Sequence, residues 1–462
     1  MLPLSRRDWL TQSACGFGSL ALAGLVARET GATPKPHHAA KAKRVMFLFM
    51  QGGVSQVDSY DYKPELAKRD GKQFGFDDAR VIANTGTRGS SQRVMKSPWK
   101  FTKQGQAGRY ASDLFPETNR HLDKLTMLHG VTTEGVAHGP ATLFLHCGST
   151  TFVRPSFGSW VLYGLGSENA NLPGFVSIAP TSGNGGSRNY GTSFLPAQYQ
   201  GTPLGHAGGS VSEVSFRNLR PAPGVAPPVE LLAELHAEQL KARPGDAELE
   251  AVVKSYELAG RLQDHAPDAL DLSKETAETK ALYGIGDKFT DSFGKQCLMA
   301  RRLSESGVRF VQVTYGDGTA NPAWDQHSDL AKHGEHARNV DKPVAGLLAD
   351  LARRGLLEDT IVWWGSEFGR TPYAQANGTG RDHNPGGFTV WLAGGGFKPG
   401  YSHGATDDYG AAAVKDKVHM HDLHATILHQ LGLDHEKLTF KYAGRDFRLT
   451  DVHGNVVKPL VG

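Results

Sequence analysis

Arg44-Val45-Met46-Phe47-Leu48-Phe49-Met50, running straight into Gln51-Gly52-Gly53, is the stretch that decides the fold. An unbroken apolar run of this length, closed by a glycine turn, reads as a strand buried on both faces. Such strands belong to parallel sheets covered by helices. The pattern recurs at Leu125 to His129, Gly174 to Ala179, Val308 to Val313, Thr360 to Gly365 and Phe388 to Ala393. Between them lie helical patterns: Pro228 to Leu235, Phe293 to Ser306, and a stretch that Asp422 caps and Gly432 stops. Strands alternating with helices predict an α/β domain over 44–462, with a mostly parallel central sheet and helices on both faces. Residues 181–225, rich in Gly, Ser and Pro, read as a loop-rich arm. Residues 228–290 read as a helical insertion that covers the rim of a site or mediates assembly.

Ahead of this domain stands Ser5-Arg6-Arg7-Asp8-Trp9-Leu10-Thr11, followed by a modest apolar run from Ala14 to Ala27. A twin arginine before such a run predicts a twin-arginine export signal over 1–27 and a Pro/His/Lys-rich linker over 28–43. The run is too short and too rich in glycine to span a bilayer well. The expected partner is the twin-arginine export machinery, and the expected location is periplasmic or extracellular, with no stable membrane insertion after cleavage. That route carries folded proteins, often with a cofactor in place, which directs attention to metal-binding residues in the mature chain.

Composition narrows the function classes. Lys+Arg (50) against Asp+Glu (47) leaves a net charge of +3, so no global field favours nucleic acid. Of the three cysteines one lies in the leader. Cys147 and Cys297 are expected as buried free thiols, with pairing in an oxidising compartment the alternative. The 20 histidines are a rich supply of ligands, and their clustering carries the information.

In sheets of this kind ligands bind beyond the carboxyl ends of the strands. Four such ends bring carboxylates, and two of them also bring imidazoles. The first strand delivers Gln51 to Asp58; the strand ending at Val313 leads to Trp324-Asp325-Gln326-His327-Ser328-Asp329. The Trp363-Trp364 strand leads to Ser366-Glu367-Phe368-Gly369-Arg370-Thr371, and the next loop holds Gly380-Arg381-Asp382-His383-Asn384. A mixture of imidazole and carboxylate suits zinc or manganese better than calcium. Asp325, His327, Glu367 and His383 are the expected metal ligands, for one or two divalent ions. Asp329 with His333 is a rival spacing. Asp382, beside His383, is expected to orient an imidazole from behind. Glu367 paired with Arg370 across a tight turn is the competing structural reading. His421 and His424, one helical turn apart, read as satisfied histidines of a capped helix.

Together these segments resemble a bacterial family catalogued as domain of unknown function 1501, which is grouped by fold with the alkaline phosphatase and sulfatase superfamily. The resemblance rests on Gly52 to Pro64, Trp324-Asp325-Gln326-His327, Ser366 to Pro372 and Gly380 to Asn384, and it spans nearly the whole mature chain. It implies an alkaline phosphatase-like fold with a two-metal centre at the carboxyl end of the sheet. Asp325, His327 and His383 resemble one metal's ligand set. The other set is altered: Gln51 stands where an aspartate is usual, with Asp58 able to reach in, and Glu367-Phe368 stands where Asp-His is usual. His138-Gly139-Pro140-Ala141-Thr142 is similar to the sulfatase nucleophile segment, with His138 at the nucleophile's place, where an imidazole can coordinate metal, accept a phosphoryl group or act as general base to a metal-bound water. Neither Cys147 nor Cys297 occupies that place, which argues against formylglycine chemistry.

The expected function is therefore an exported metal-dependent hydrolase acting on a small or polymer-borne anionic ester, a phosphate or a sulfate. His138 or a metal-activated water serves as the attacking group or base, and Asp58 completes the site. Arg370 and Arg381 are expected to hold the anionic substrate. The alternative is a non-catalytic metal-containing binding or scaffold protein of the same fold. A carbohydrate-processing enzyme with paired carboxylates is a weaker third.

Overall fold

A computed structural model describes residues 36–76, 92–209, 229–319, 321–375 and 378–462. The export signal, linker residues 28–35 and the 210–225 part of the arm lie outside the described residues.

The main sheet is built, in chain order, from β1 (Arg44–Met50), β2 (Leu125–Thr132), β3 (Phe175–Ile178), β4 (Thr202–Leu204), β5 (Phe310–Tyr315) and β6 (Thr360–Gly365). A hairpin of β7 (Gly369–Ala374) and β8 (Arg381–Asn384) stands off it, and β9 (Phe388–Ala393), β10 (Ser402–His403) and β11 (Val418–His419) return to it. This nine-stranded sheet has the order β10-β2-β9-β6-β1-β5-β3-β4, with β11 also pairing β2. β1 lies between β6 and β5 and runs parallel to both. β3 and β4 extend that parallel half, whereas β9 is antiparallel to β6 and to β2. The architecture is α/β with a mostly parallel sheet.

β1 shows why the sheet sits in the middle. Successive side chains of a strand point to opposite faces. Met46, Leu48 and Met50 belong to one core with α6 (Asp291–Glu305) and α7 (Lys332–Arg353), through Leu298, Leu347 and Leu351. Val45, Phe47 and Phe49 belong to the other, with α2 (His138–Cys147), α3 (Phe157–Leu165) and α8 (Met420–Gln430), through Phe144, Trp160 and Leu423. Phe47 stacks on Trp363 of β6 at 3.8 Å between ring centroids. Burying one such side chain is worth about 1.5–3 kcal/mol, and both faces of the strand collect that gain.

Several elements differ from the sequence reading. Residues 369–374 and 381–384, read as loops, form the β7–β8 ladder, because Arg370 and His383 meet as direct cross-strand partners. Residues 202–204 of the arm join the sheet edge as β4. The 228–290 region begins with α4 (Val229–Ala242) and α5 (Ala247–Leu270), and α5 packs against α6 and residues 197–199. The cap of α8 is His419; Asp422 sits three residues in, where its carboxylate accepts the His419 N–H at 2.9 Å. No helix among the described residues is long and apolar enough to cross a membrane.

Candidate metal centre

The carboxyl ends of β1, β5 and β6 lie side by side, and the chain leaves each of them into the same space. Gly52 follows β1 with φ +118°, a conformation that costs glycine least. A Cβ there would stand 2.7 Å from Trp324 N and 2.8 Å from Asp325 N. The missing side chain lets the loop after β5 press on the turn, where Trp324 N–H donates to Gln51 O at 3.2 Å. Asp325 and His327 are thereby carried to the end of β1. The β7–β8 ladder adds Arg370 and His383 on one face, since directly opposed residues share a face. α2 begins at His138, which supplies the last group.

Four side chains converge. One ligand atom from each of His138, Asp325, His327 and His383 lies within 4.8 Å of all the others. Asp325 Oδ1 is 3.1 Å from His138 Nε2, 2.8 Å from His327 Nε2 and 3.1 Å from His383 Nε2. His327 Nε2 and His383 Nε2 are 2.9 Å apart. The other nitrogen of each ring is held from behind. His138 Nδ1 meets Glu367 Oε1 at 2.6 Å, His383 Nδ1 meets Val136 O at 3.0 Å, and His327 Nδ1 meets Gln375 Oε1. These partners are all acceptors, so a neutral ring carries its proton on Nδ1 and turns the Nε2 lone pair inward.

Three lone pairs and a carboxylate oxygen facing one another are the surroundings of a cation. With its proton on Nδ1, His138 Nε2 is a buried lone pair facing the Asp325 carboxylate, an acceptor set against an acceptor that a metal bond satisfies. Burial opposes ionisation of Asp325, yet the three imidazoles gathered on it and the Arg370 guanidinium outweigh that and hold its carboxyl well below the usual range. For His138 burial acts to lower the pKa, and the Asp325 and Glu367 carboxylates on its two sides prevail and raise it. The His138 shift says that the carboxylates draw positive charge to this space, and the Asp325 shift says that its carboxylate stays ionised as the anionic donor. The residues present fit a divalent ion of the zinc or manganese type, bound by three nitrogens and an oxygen.

The remaining expected residues fall elsewhere. Glu367 is fully buried and stands behind His138, not among the converging donors; both its oxygens accept the Gly52 N–H at 3.0 Å. Asp58 is also fully buried and forms a two-pronged ion pair with Arg381, at 2.7 and 3.1 Å. Arg381 gives its other donors to Thr371 O and Met95 O. Arg370 reaches Asp325 Oδ1 at 2.8 Å and spends its other donors on Gly53 O, Arg381 O, Trp324 O and Gly52 O. Both guanidinium groups are fully buried and engaged with protein, in place of the expected contact with substrate. Asp382 Oδ1 accepts the His383 N–H at 2.8 Å and lies 3.7 Å from His327 Nδ1. The rival pair does not form: Asp329 is exposed, and buried His333 accepts the Ser55 N–H at 3.2 Å. His421 and His424 donate to the C-terminal end of α2, to the O of its cap Gly148 at 3.1 Å and to Leu145 O at 2.9 Å. Cys147 and Cys297 are both buried free thiols.

Gln375 and the Val136 carbonyl were not singled out by the sequence. A lone glutamine in a hairpin and a backbone oxygen carry no motif. On the same rim, beyond β3 and β4, a cavity of about 540 Å³ is lined by Thr181, Ser182, Ser187, Tyr190 and His206 among others. Gln51 connects the two, donating from Nε2 to Thr181 Oγ1 at 3.3 Å.

A family model described as "Protein of unknown function (DUF1501)" matches residues 42–461. No curated protein matches the chain. Among solved structures, the chain is similar to the sulfatase PsFucS1 from Pseudoalteromonas sp., with TM-score 0.37, 12% identity, and 91% of this chain and 72% of that one covered. It is similar to the lipoteichoic acid synthase LtaP from Listeria monocytogenes, with TM-score 0.37, 9% identity, and coverage of 92% and 80%. It is also similar to alkaline phosphatase from the Antarctic bacterium TAB5, with TM-score 0.30, 11% identity, and coverage of 77% and 92%.

Proposed function

The chain belongs to the DUF1501 family, and we propose that it is an exported metal-dependent hydrolase acting on a phosphate or sulfate ester. The observation that carries this is the meeting of His138, Asp325, His327 and His383 around one point, with every Nδ1 held from behind. When bound there, a divalent ion supplies Lewis-acid polarisation of an ester oxygen and acidification of water.

The chain's own residues set the conditions. His138, His327 and His383 offer neutral nitrogens, and Asp325 offers the one charged donor. Glu367 sits behind His138 and strengthens it as a donor, the carboxylate–histidine arrangement that commonly backs metal ligands. This reading moves Glu367 out of the expected ligand set and gives His138 a ligand's part. Asp58 and Arg381 neutralise each other in the wall and hold the 55–58 turn against the β8 strand. The side chain of His327 is 27% exposed, against 5% for Asp325 and 6% for His383, so a substrate approaches from the His327 side. The cavity beyond β3 and β4 receives the part of the substrate that does not react. Export rests on Arg6-Arg7 and the apolar run after it.

One observation favours the second reading, a non-catalytic protein with a structural metal. Four protein donors already converge, and structural zinc sites are closed in this way, whereas catalytic ones keep an open position. An ion of higher coordination number leaves room for substrate; four-coordinate zinc does not.

Metal analysis of protein purified from the periplasm, with turnover of generic phosphate and sulfate esters, tests the proposal. Bound metal with ester turnover, both lost in Asp325→Asn and His383→Ala, is expected. Bound metal without turnover selects the structural reading. Metal content unchanged in both variants removes the basis of either.

A further inference from the structure

We infer that this centre takes a single divalent ion, and that Arg370 is a fixed cation standing in for the charge of a second. The inference rests on the metal-binding reading above and adds to it a count and a role for Arg370.

Among the described residues, one group of histidine, cysteine, aspartate and glutamate side chains is arranged to hold an ion. A second ion beside it needs a carboxylate of its own, and the neighbouring carboxylates are committed. Glu367 takes the Gly52 N–H with both oxygens and His138 Nδ1 with one. Asp58 is matched by Arg381 through both oxygens. Asp382 receives the His383 amide. Gln51, fully buried at the end of β1, offers a neutral amide and is tied to Thr181.

The space next to Asp325 is also filled. Arg370 Nη2 lies 2.8 Å from Asp325 Oδ1, the same oxygen that the three Nε2 atoms face. Four backbone carbonyls fix the guanidinium, and it has no exposed surface from which to swing away. The Phe368 ring lies 4.3 Å from the His383 ring, 5.0 Å from the His138 ring and 5.9 Å from the Arg370 guanidinium carbon. Gly53 packs against it so closely that a Cβ there would stand 2.9 Å from the phenyl carbons. An apolar ring and a guanidinium therefore occupy the flank where further ligands would have to enter.

The charges give the same count. Asp325, Glu367 and buried Asp382 bring three negative charges and Arg370 one positive, while Asp58 and Arg381 cancel each other. A single divalent ion leaves the buried centre neutral. A second would leave it with two positive charges and no counter-charge of its own, against repulsion in a poorly screened interior. The guanidinium is covalently part of the chain, so unlike an ion this cation cannot be exchanged or stripped by a chelator.

The test is metal stoichiometry. The wild-type protein is loaded with excess Zn²⁺ or Mn²⁺, dialysed, and measured by plasma mass spectrometry, with calorimetric titration of the stripped protein as a second count. One ion per chain is expected. Two ions per chain overturn the inference and leave the metal-binding reading standing; no bound ion overturns both. Arg370→Gln and Arg370→Lys then isolate the charge, since both lose the fork of hydrogen bonds and only the lysine keeps a cation. Arg370→Gln is expected to bind the ion about tenfold more tightly than Arg370→Lys, the modest end of what one nearby charge does at an effective dielectric of about 20. Equal affinities overturn the role given to Arg370. If neither variant folds, the wild-type count still decides the number of ions.

Discussion

Glu367 Oε1 lies 2.6 Å from His138 Nδ1, and this one contact turns the imidazole so that its Nε2 faces Asp325. Glu367→Gln keeps the size of the side chain and removes its charge. Metal affinity is expected to fall about 10- to 100-fold, the usual effect of losing a partner behind a metal ligand. Competition with a chelator of known affinity measures it. An unchanged affinity would show that Glu367 matters only to packing.

The part played by His138 can be separated from that of a nucleophile or base. As one of four ligands, its loss in His138→Ala is expected to cut metal affinity at least about tenfold, in the range seen when a centre loses a supporting interaction. Turnover should fall in step with bound metal. A variant that keeps its full metal complement but has no turnover would return His138 to the attacking role.

The Asp58–Arg381 pair is buried on both sides and joins the turn after β1 to β8. Removing one partner strands a charge in the interior, so Asp58→Ala is expected to destabilise the fold by about 3–5 kcal/mol. The double variant Asp58→Ala/Arg381→Met should regain much of that loss. Denaturant unfolding gives both numbers. A double variant no better than the single one would mean that the carboxylate contributes by something other than matching the guanidinium.

Acid should loosen the protein through histidines away from the metal. Burial, with neighbouring histidines adding to it, pushes His421 down to about 4 and His424 down to about 3. Unfolded, each takes a proton near pH 6.5, so the unfolded chain gains protons first as pH falls. The stability these rings lend is complete above about pH 6.5 and is lost as pH drops through their folded pKa values. Two groups imply a slope approaching about 2.7 kcal/mol per pH unit between pH 6 and 4, and His146, pushed down to about 4 by burial, acts in the same direction. Urea titrations at pH 7, 6 and 5 check this. A His421→Asn/His424→Asn variant with an equally steep pH dependence would acquit the pair.

Much of this was legible in the sequence, and the limits have physical causes. The apolar runs at 44–50, 360–365 and 388–393 announced their strands, because a strand buried on both faces needs an uninterrupted series of such residues. Asp325, His327 and His383 were candidates because imidazoles and carboxylates after strand ends have few other uses. The β7–β8 hairpin was hidden, since Gly369 to Ala374 and Arg381 to Asn384 carry polar residues inward toward the site, and polarity looks like loop. Glu367 was one shell off. Sequence tells that a carboxylate leaves β6, and only the chain's path tells whether it reaches the ion or the ring in front of it. The His138 segment was located, but the choice among ligand, base and nucleophile depends on which nitrogen points inward, and Glu367, more than two hundred residues away, sets that.

The grip of α8 on α2 has a consequence for how the centre is braced. His421 and His424 fasten the tail of the helix whose first residue is His138. The imidazole at one end of that rod is thus steadied from the other, and a disturbance in α8 has a mechanical route to the ion's pocket although none of its side chains stands there.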